Sequence, residues 1–398
     1  MPLDFALADE HALMRTSVRT MLEQKYFARR DEYKAMMKAK VFPQEIWEDF
    51  AELGLQGCLV PEEYGGNNAG LLALTLAFEE MSAQSFLPGL MLVNSMDTSC
   101  IRKNGSEDLK RRFLPKIADG SLKLCFAVTE PNAGTNTFRI ETIARRHGDV
   151  YRINGQKVFI TGVEHADYML LVARTTTVEE LQREGKGKSQ GISLFLVDTK
   201  SPGLDKTPLP TMANDGSHQW QLFFDNVEVP ADNLVGQEGN GAFAMFNSLN
   251  PERILAAAIC SGMTELCLTK SVAYANERRV FKDTPIGAYQ SIAHPLAEVR
   301  IKHEAAKLMA YKAAWMFDND MGPLEVGQFA NMAKFLAADL ALEAVDAALE
   351  THGGNGFSED YGLVGLWYGA RLLKTAPVSR EMILNYVCEQ TLGLPRSY

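Results

Sequence analysis

Along the first part of the chain, apolar residues recur at the three- and four-residue spacing of an amphipathic helix. Leu13, Val18, Met21 and Leu22 mark one helix that Asp9 can cap. Ile46, Trp47, Phe50 and Leu53 mark a second, opened by Pro43 and closed by Gly54. Residues 71–81 and 109–117 continue the period. The pattern then changes. Short runs rich in β-branched and aromatic residues at 122–129, 140–146, 150–153, 168–174, 191–197 and 219–224 predict an antiparallel β region. His147-Gly148-Asp149 and Asn154-Gly155 read as turns between strands. The polar stretch 175–190 reads as an exposed, mobile loop. After residue 238 the helical period returns. Ile254, Leu255, Ala258, Ile259, Gly262, Met263 and Leu266 lie on one long helix, and others follow near 289–318, 323–351 and 378–391. They are Ala-rich and apolar on more than one face, which suits packing against each other and against a second subunit. The predicted class is α+β: a helical domain over 1–121, a β domain over 122–238 and a second helical domain over 239–398.

Composition narrows the functional classes. The chain has 398 residues, with 40 Lys and Arg against 50 Asp and Glu, a formal net charge of −10. That balance argues against a nucleic-acid partner and against a polybasic membrane surface. No apolar run reaches the roughly 18–20 residues of a membrane span. The first residues lack a basic stretch followed by an apolar one, so a cytoplasmic protein is expected. The six cysteines are scattered and show no CxxC pair, as expected for free thiols in apolar surroundings. The seven histidines form no HxxxH or HExxH spacing, so no metal site is expected.

Four stretches carry candidate chemistry. In Ala127-Val128-Thr129-Glu130-Pro131-Asn132-Ala133-Gly134-Thr135 a strand runs into a Pro/Gly loop. Such a loop offers N–H groups and a hydroxyl to an anionic or heteroaromatic ligand, though on the residues alone a strand-ending turn is the simpler reading. In Lys157-Val158-Phe159-Ile160-Thr161, Phe159 and Thr161 are two positions apart on a strand and point to one side. They can stack on a ring and hydrogen-bond its edge, or simply line a half-buried strand. Arg278-Arg279-Val280-Phe281, with Gln290 further on, suits phosphate or a solvated helix end. His352-Gly353-Gly354-Asn355-Gly356 suits close approach to a pyrophosphate or a helix C-cap.

Taken together, the order and spacing of these stretches resemble the acyl-CoA dehydrogenase family of flavoproteins over essentially the whole chain. Val60-Pro61-Glu62-Glu63-Tyr64-Gly65-Gly66, Arg112-Phe113-Leu114-Pro115, Val227-Glu228-Val229-Pro230, Met332-Ala333-Lys334 and Leu392-Gly393-Leu394-Pro395-Arg396 belong to the same pattern. The resemblance implies FAD as cofactor. Phe126, Val128, Thr129, Phe159 and Thr161 would surround the isoalloxazine, with Thr161 donating to flavin N5 and Phe159 standing where relatives carry Trp. Gly134 and Thr135 would line the phosphates. Arg278, Phe281, Gln290, Gly353 and Gly354 would hold the adenine–pyrophosphate half across a subunit boundary, which implies a homo-oligomer, usually a tetramer of paired dimers. It further implies β-oxidation-type chemistry on an acyl-CoA, with electrons passed to an electron-transfer flavoprotein. The same fold also hosts flavin monooxygenases, oxidases and flavin-containing binding proteins.

The base for the α-proton must be a positioned carboxylate. Many relatives carry it as Glu in a C-terminal Tyr-Glu-Gly-Thr motif. Counting back without gaps from 392–396 places Pro377 there, within Thr375-Ala376-Pro377-Val378-Ser379. A smaller branch, including isovaleryl- and long-chain-type enzymes, carries the Glu on an earlier helix. Asn250-Pro251-Glu252-Arg253 matches that position, so Glu252 is the expected base and Arg253 the expected thioester and CoA neighbour. Without the resemblance, Glu252 reads as a first-turn acid after an Asn250 cap and Pro251 at N1. In the family the C-terminal Glu position also lends its N–H to the thioester carbonyl. Proline has none, so another donor is needed, with the Val378 N–H as candidate. The loss of one such donor costs roughly 2.7–4 kcal/mol of transition-state stabilisation. Further departures are Phe281-Lys282, one extra residue before Pro285-Ile286, Glu350 and Tyr368-Gly369. Residues 214–219 lie where relatives often contact CoA.

Overall fold

The computed structural model describes residues 6–87, 89–212 and 216–396. The first five residues, and Asn214 and Asp215 of the loose CoA match, lie outside them. In chain order the elements begin with α1 (Asp9–Lys25), α2 (Arg30–Lys38), α3 (Gln44–Glu52), α4 (Gly70–Ala83), α5 (Leu90–Asn104) and α6 (Glu107–Ala118). Strands β1 (Leu124–Ala127), β2 (Ile143–His147), β3 (Val150–Thr161) and β4 (Tyr168–Arg174) follow. A short helix α7 (Val178–Arg183) precedes β5 (Ile192–Asp198), β6 (Leu204–Leu209), β7 (Gln219–Pro230) and β8 (Leu234–Val235). The chain ends in α8 (Gly241–Ala244), α9 (Phe246–Glu277), α10 (Gln290–Asp318), α11 (Pro323–His352), α12 (Leu363–Thr375) and α13 (Arg380–Tyr386).

Contacts gather these elements into two units. One comprises Asp31–Ala69 and Pro88–Glu252, and the other Met1–Arg30, Gly70–Leu87 and Arg253–Tyr398. In the first, the sheet runs β6-β7-β3-β2-β4-β5-β8, with β1 beside β4. Its neighbours are antiparallel as expected, save at β4, to which both β1 and β2 run parallel. One apolar cluster spans Ile101, Leu109, Leu114, Leu124, Leu170, Leu194, Val235 and Met245. In the second unit, α9–α12 share an Ala-rich core of Ala257, Ala306, Ala333, Ala341, Ala344 and Leu363. Small side chains let helix axes approach closely. A Cβ on Gly262 would meet the Glu79 carbonyl at 2.4 Å, so glycine is required where α9 crosses α4.

Several local expectations are corrected. Asp9 is the first residue of α1, and Ala8 stands at the cap. Asn154-Gly155 is no turn: β3 runs through it, and the register against β7 shifts there in a bulge. Gly155 sits at φ 147°, where a Cβ would lie 2.6 Å from Thr142 Oγ1. The stretch 175–190 contains α7, opened by a capping box in which Thr177 and Glu180 exchange hydrogen bonds. Residues 241–277 include a window long and apolar enough to cross a membrane, but 78% of it is buried inside the protein. All six cysteines are free, as expected.

Candidate active site

Strand β1 ends where Phe126 and Val128 pack against the apolar cluster, and Thr129 follows. The loop beyond is anchored by a buried ion pair. Lys157 Nζ lies 2.8 Å from Glu130 Oε1 and donates at 2.8 Å to the Val128 carbonyl. Glu130 also accepts from the N–H of Glu141 at 2.6 Å and of Thr142 at 3.0 Å. Burial alone would raise the Glu130 carboxyl, but Lys157 and these donors outweigh it and hold it below the usual range. The Val158 N–H donates to the Thr129 carbonyl at 2.9 Å, so loop and strand are fastened side by side. Gly134 and Thr135 lie exposed on that loop, and a Cβ on Gly134 would meet nothing within 4 Å.

Opposite this anchor, β3 bulges. Its register against β7 shifts between Lys157 and Ile160, and Phe159 sits at φ 59°. Strict alternation therefore does not orient Phe159, contrary to expectation. The bulge presents the ring, which is 58% exposed. Non-glycine residues in this conformation are strained, and such strain gathers at functional positions. Two residues on, the Thr161 hydroxyl accepts from Gln219 Nε2 at 2.8 Å. Its own O–H has no acceptor among the described residues, which leaves a donor available at the strand's end. An uncommitted donor, an exposed ring and open space over Gly134 fit a planar heteroaromatic cofactor with a phosphate tail.

Helix α5 joins this region to Glu252. Asn94 Oδ1 accepts from the N–H of Leu124 at 2.9 Å and so holds β1. On the same helix, Ser99 Oγ donates to the Asn247 carbonyl at 2.9 Å, and Cys100 Sγ lies 3.7 Å from the Ala244 carbonyl. α9 starts at Phe246, so Pro251 and Glu252 lie inside the helix and not in its first turn behind an Asn250 cap. Leu249, one turn before Glu252, packs on the apolar cluster that also receives Phe126 and Val128. Glu252 is half-buried.

The remaining candidates belong to the other unit. Arg253 lies within electrostatic reach of Tyr386, whose phenol burial raises above its ordinary range against the pull of Arg253. Arg278, exposed just past the end of α9, accepts at its carbonyl from the Ile286 N–H at 2.8 Å. Phe281 is 81% exposed. Lys282 and Asp283, beside the extra residue, both adopt positive φ. Gln290 opens α10. Gly353 ends α11 at φ 56°, and neither it nor Gly354 would bring a Cβ within 4 Å of anything. Pro377 and Val378 lie between α12 and α13. The buried Lys334 amine donates to the Val378 carbonyl at 2.7 Å. Among the described residues nothing accepts from the Val378 N–H. Asn94 and Ser99 escaped the sequence reading, and Lys157 and Gln219 carried no role of their own in it, because single polar residues inside a strand or helix carry no motif.

Known proteins resemble this chain along most of its length. The family models for the acyl-CoA dehydrogenase N-terminal, middle and C-terminal domains match residues 8–121, 125–227 and 239–391. An acyl-CoA dehydrogenase of Mycobacterium tuberculosis is 45% identical over 357 residues, 89% of each chain. The structure of a glutaryl-coenzyme A dehydrogenase in complex with glutaryl-CoA aligns with a TM-score of 0.90 at 30% identity, covering 99% of this chain and 98% of that one. A chain in the solved structure of the electron transferring flavoprotein of Acidaminococcus fermentans aligns with a TM-score of 0.89 at 28% identity, covering 98% of this chain and 100% of that one.

Proposed function

The chain belongs to the acyl-CoA dehydrogenase family, and we propose that it desaturates a saturated acyl-CoA to the trans-2-enoyl-CoA with Glu252 as the base. FAD is the cofactor of the family and, when bound, accepts the β-hydrogen as hydride. Glu252 takes the α-proton. The Thr161 O–H, left free by Gln219, hydrogen-bonds the flavin edge, and the Phe159 ring covers it. Gly134 and Thr135 face the phosphates. Arg253 attracts the CoA thioester. Arg278, Phe281, Gln290, Gly353 and Gly354 take the adenine half of the cofactor of a neighbouring subunit in a homo-oligomer. The Val378 N–H replaces the amide that Pro377 lacks. An electron-transfer flavoprotein is the electron acceptor. The scattered free thiols suit a reducing, cytoplasmic setting.

One observation supports this assignment above the others. α5 holds β1 through Asn94 and the start of α9 through Ser99, so one helix sets Glu252 relative to the Thr129 strand end. The test is anaerobic titration of the FAD-loaded protein with acyl-CoAs of varied length and branching, read as bleaching of the flavin. Glu252→Gln should keep FAD and lose bleaching by about 10²–10⁴-fold, the contribution expected of a general base. A variant within about tenfold of the parent would remove Glu252 from that role.

A further inference from the structure

Glu164 stands in the turn between β3 and β4, three residues after Thr161, and its side chain is 17% exposed. Its carboxylate gathers three donors from two residues at the start of β7. Oε1 accepts from the His218 N–H at 2.8 Å and lies 3.1 Å from His218 Nδ1. A carboxylate only accepts, so the contact assigns the ring proton to Nδ1. Oε2 accepts from Trp220 Nε1. The His218 carbonyl in turn accepts from the Gly162 N–H at 3.0 Å, so both sides of this peptide are tied to the turn. Hydrogen bonds to a carboxylate are the strong class, roughly twice a neutral pair.

The residue between the two anchored ones is Gln219, which is buried and lies directly across the ladder from Thr161. Successive strand residues point to opposite faces. His218 and Trp220 therefore reach Glu164 on one face, while Gln219 Nε2 reaches the Thr161 hydroxyl on the other at 2.8 Å. Strand pairing does not call for the acid. Gln219 is already paired with Thr161 on β3 and with Leu209 on β6. What the acid adds is rotational: with its two neighbours fastened, the Gln219 side chain leaves the strand in one fixed direction. A hydroxyl that accepts from a fixed amide must turn its own proton away from that amide.

We propose that Glu164 is a positioning residue for the cofactor contact. It fixes the His218–Trp220 segment, through it the Gln219 amide, and through that the direction of the Thr161 O–H. The inference rests on the reading of Thr161 as the donor to the flavin edge and names the residue that aims it. Glu164 touches neither cofactor nor substrate in this role. Groups that act on a ligand through a second layer need such rigid support, because a donor free to rotate loses much of its value.

The test compares the binding of oxidised FAD with that of 5-deazaFAD, in which a C–H replaces N5 and removes the acceptor from the ring edge. The parent should bind FAD more tightly by about two- to tenfold, the range of one hydrogen bond. Glu164→Leu should bring that ratio close to one. Trp220→Phe, which removes one of the three donors and keeps an aromatic ring, should lower it part of the way, and it decides the matter if the leucine variant does not fold. Thr161→Val should also bring the ratio close to one, and Glu164→Leu added to it should change the ratio no further, since both act on one contact. A purely structural role would weaken both ligands equally and leave the ratio as in the parent, which overturns the proposal. A ratio lost in Thr161→Val but intact in Glu164→Leu overturns this inference alone. A ratio near one in the parent, or one that Thr161→Val leaves unchanged, removes Thr161 from the flavin edge and this inference with it.

Discussion

The Ser99 hydroxyl donates to the Asn247 carbonyl at 2.9 Å, the carbonyl that Pro251 leaves without its helical partner. A helix carbonyl normally receives the N–H four residues on, and proline has none to give. α5 thus repairs the ladder of α9 one residue before Glu252. This explains how a proline is tolerated inside the helix next to a candidate base.

Ser99→Ala should leave that part-buried carbonyl unpaired, at a cost of about 1 kcal/mol. If the bond also orients Glu252, kcat should fall while FAD affinity stays unchanged. Denaturant unfolding together with a kcat and FAD-binding measurement checks both halves. Equal loss of FAD and turnover would mean that Ser99 supports only the fold.

Phe159 holds a left-handed backbone at φ 59° that glycine would adopt without strain. Phe159→Gly should therefore stabilise the FAD-free protein by about 1 kcal/mol. It should weaken FAD retention, because the exposed ring is removed. Tm of the FAD-free protein and the Kd for FAD should move in opposite senses. A lower Tm would show that the ring packs for stability.

Lys157 and Glu130 form an ion pair in which the amine is fully buried. Lys157→Met should leave Glu130 without its cation and cost about 3–5 kcal/mol. The 129–135 loop should loosen with it and release FAD more readily. Glu130→Gln with Lys157→Met should recover part of the stability, since no lone charge then remains.

His303 gives a pH signature in the other unit. It is fully buried, its Nε2 lies 2.8 Å from Ser261 Oγ, and Ser261 donates to Glu79 at 3.0 Å. Arg300, a donor, lies 3.4 Å from His303 Nδ1. The pattern assigns a neutral ring with its proton on Nε2. Burial pulls its pKa below the ordinary 6.5, helped by Lys307 and Arg300 and opposed by Glu79 and Glu265. The unfolded chain takes a proton first as the pH falls. The stabilising contribution is thus complete above the unfolded value and is lost as the pH drops through the folded one. Tm measured across that window should fall less steeply in His303→Gln than in the parent. Identical slopes would show that other groups set the dependence.

Where the sequence spoke, it spoke through local periodicity. The helical spacing of α3, α6 and α9 and the β-branched runs of β4 and β5 needed no distant partner to be read. α5 stayed hidden because Asn94, Ser95, Asp97, Thr98 and Ser99 are all buried on it, so burial there does not follow the apolar pattern. Asn154-Gly155 misled for a related reason. A strong turn signal became a bulge because β7 pairs with β3 on both sides of it.

The sequence by itself determined the α+β layout and the family, and it brought forward Glu252 where Pro377 displaces the usual acid. Tertiary structure alone decided which polar atoms meet. Ser99 and Asn247 are 148 positions apart, Gln219 and Thr161 58, Lys157 and Glu130 27. Helix and strand propensities act over a turn or a strand. A hydrogen bond between distant residues depends on strand register and helix packing. Tertiary structure likewise leaves the buried carboxyl oxygens of Asp97 without a hydrogen-bond partner among the described residues, because an orphan is defined by the atoms around it.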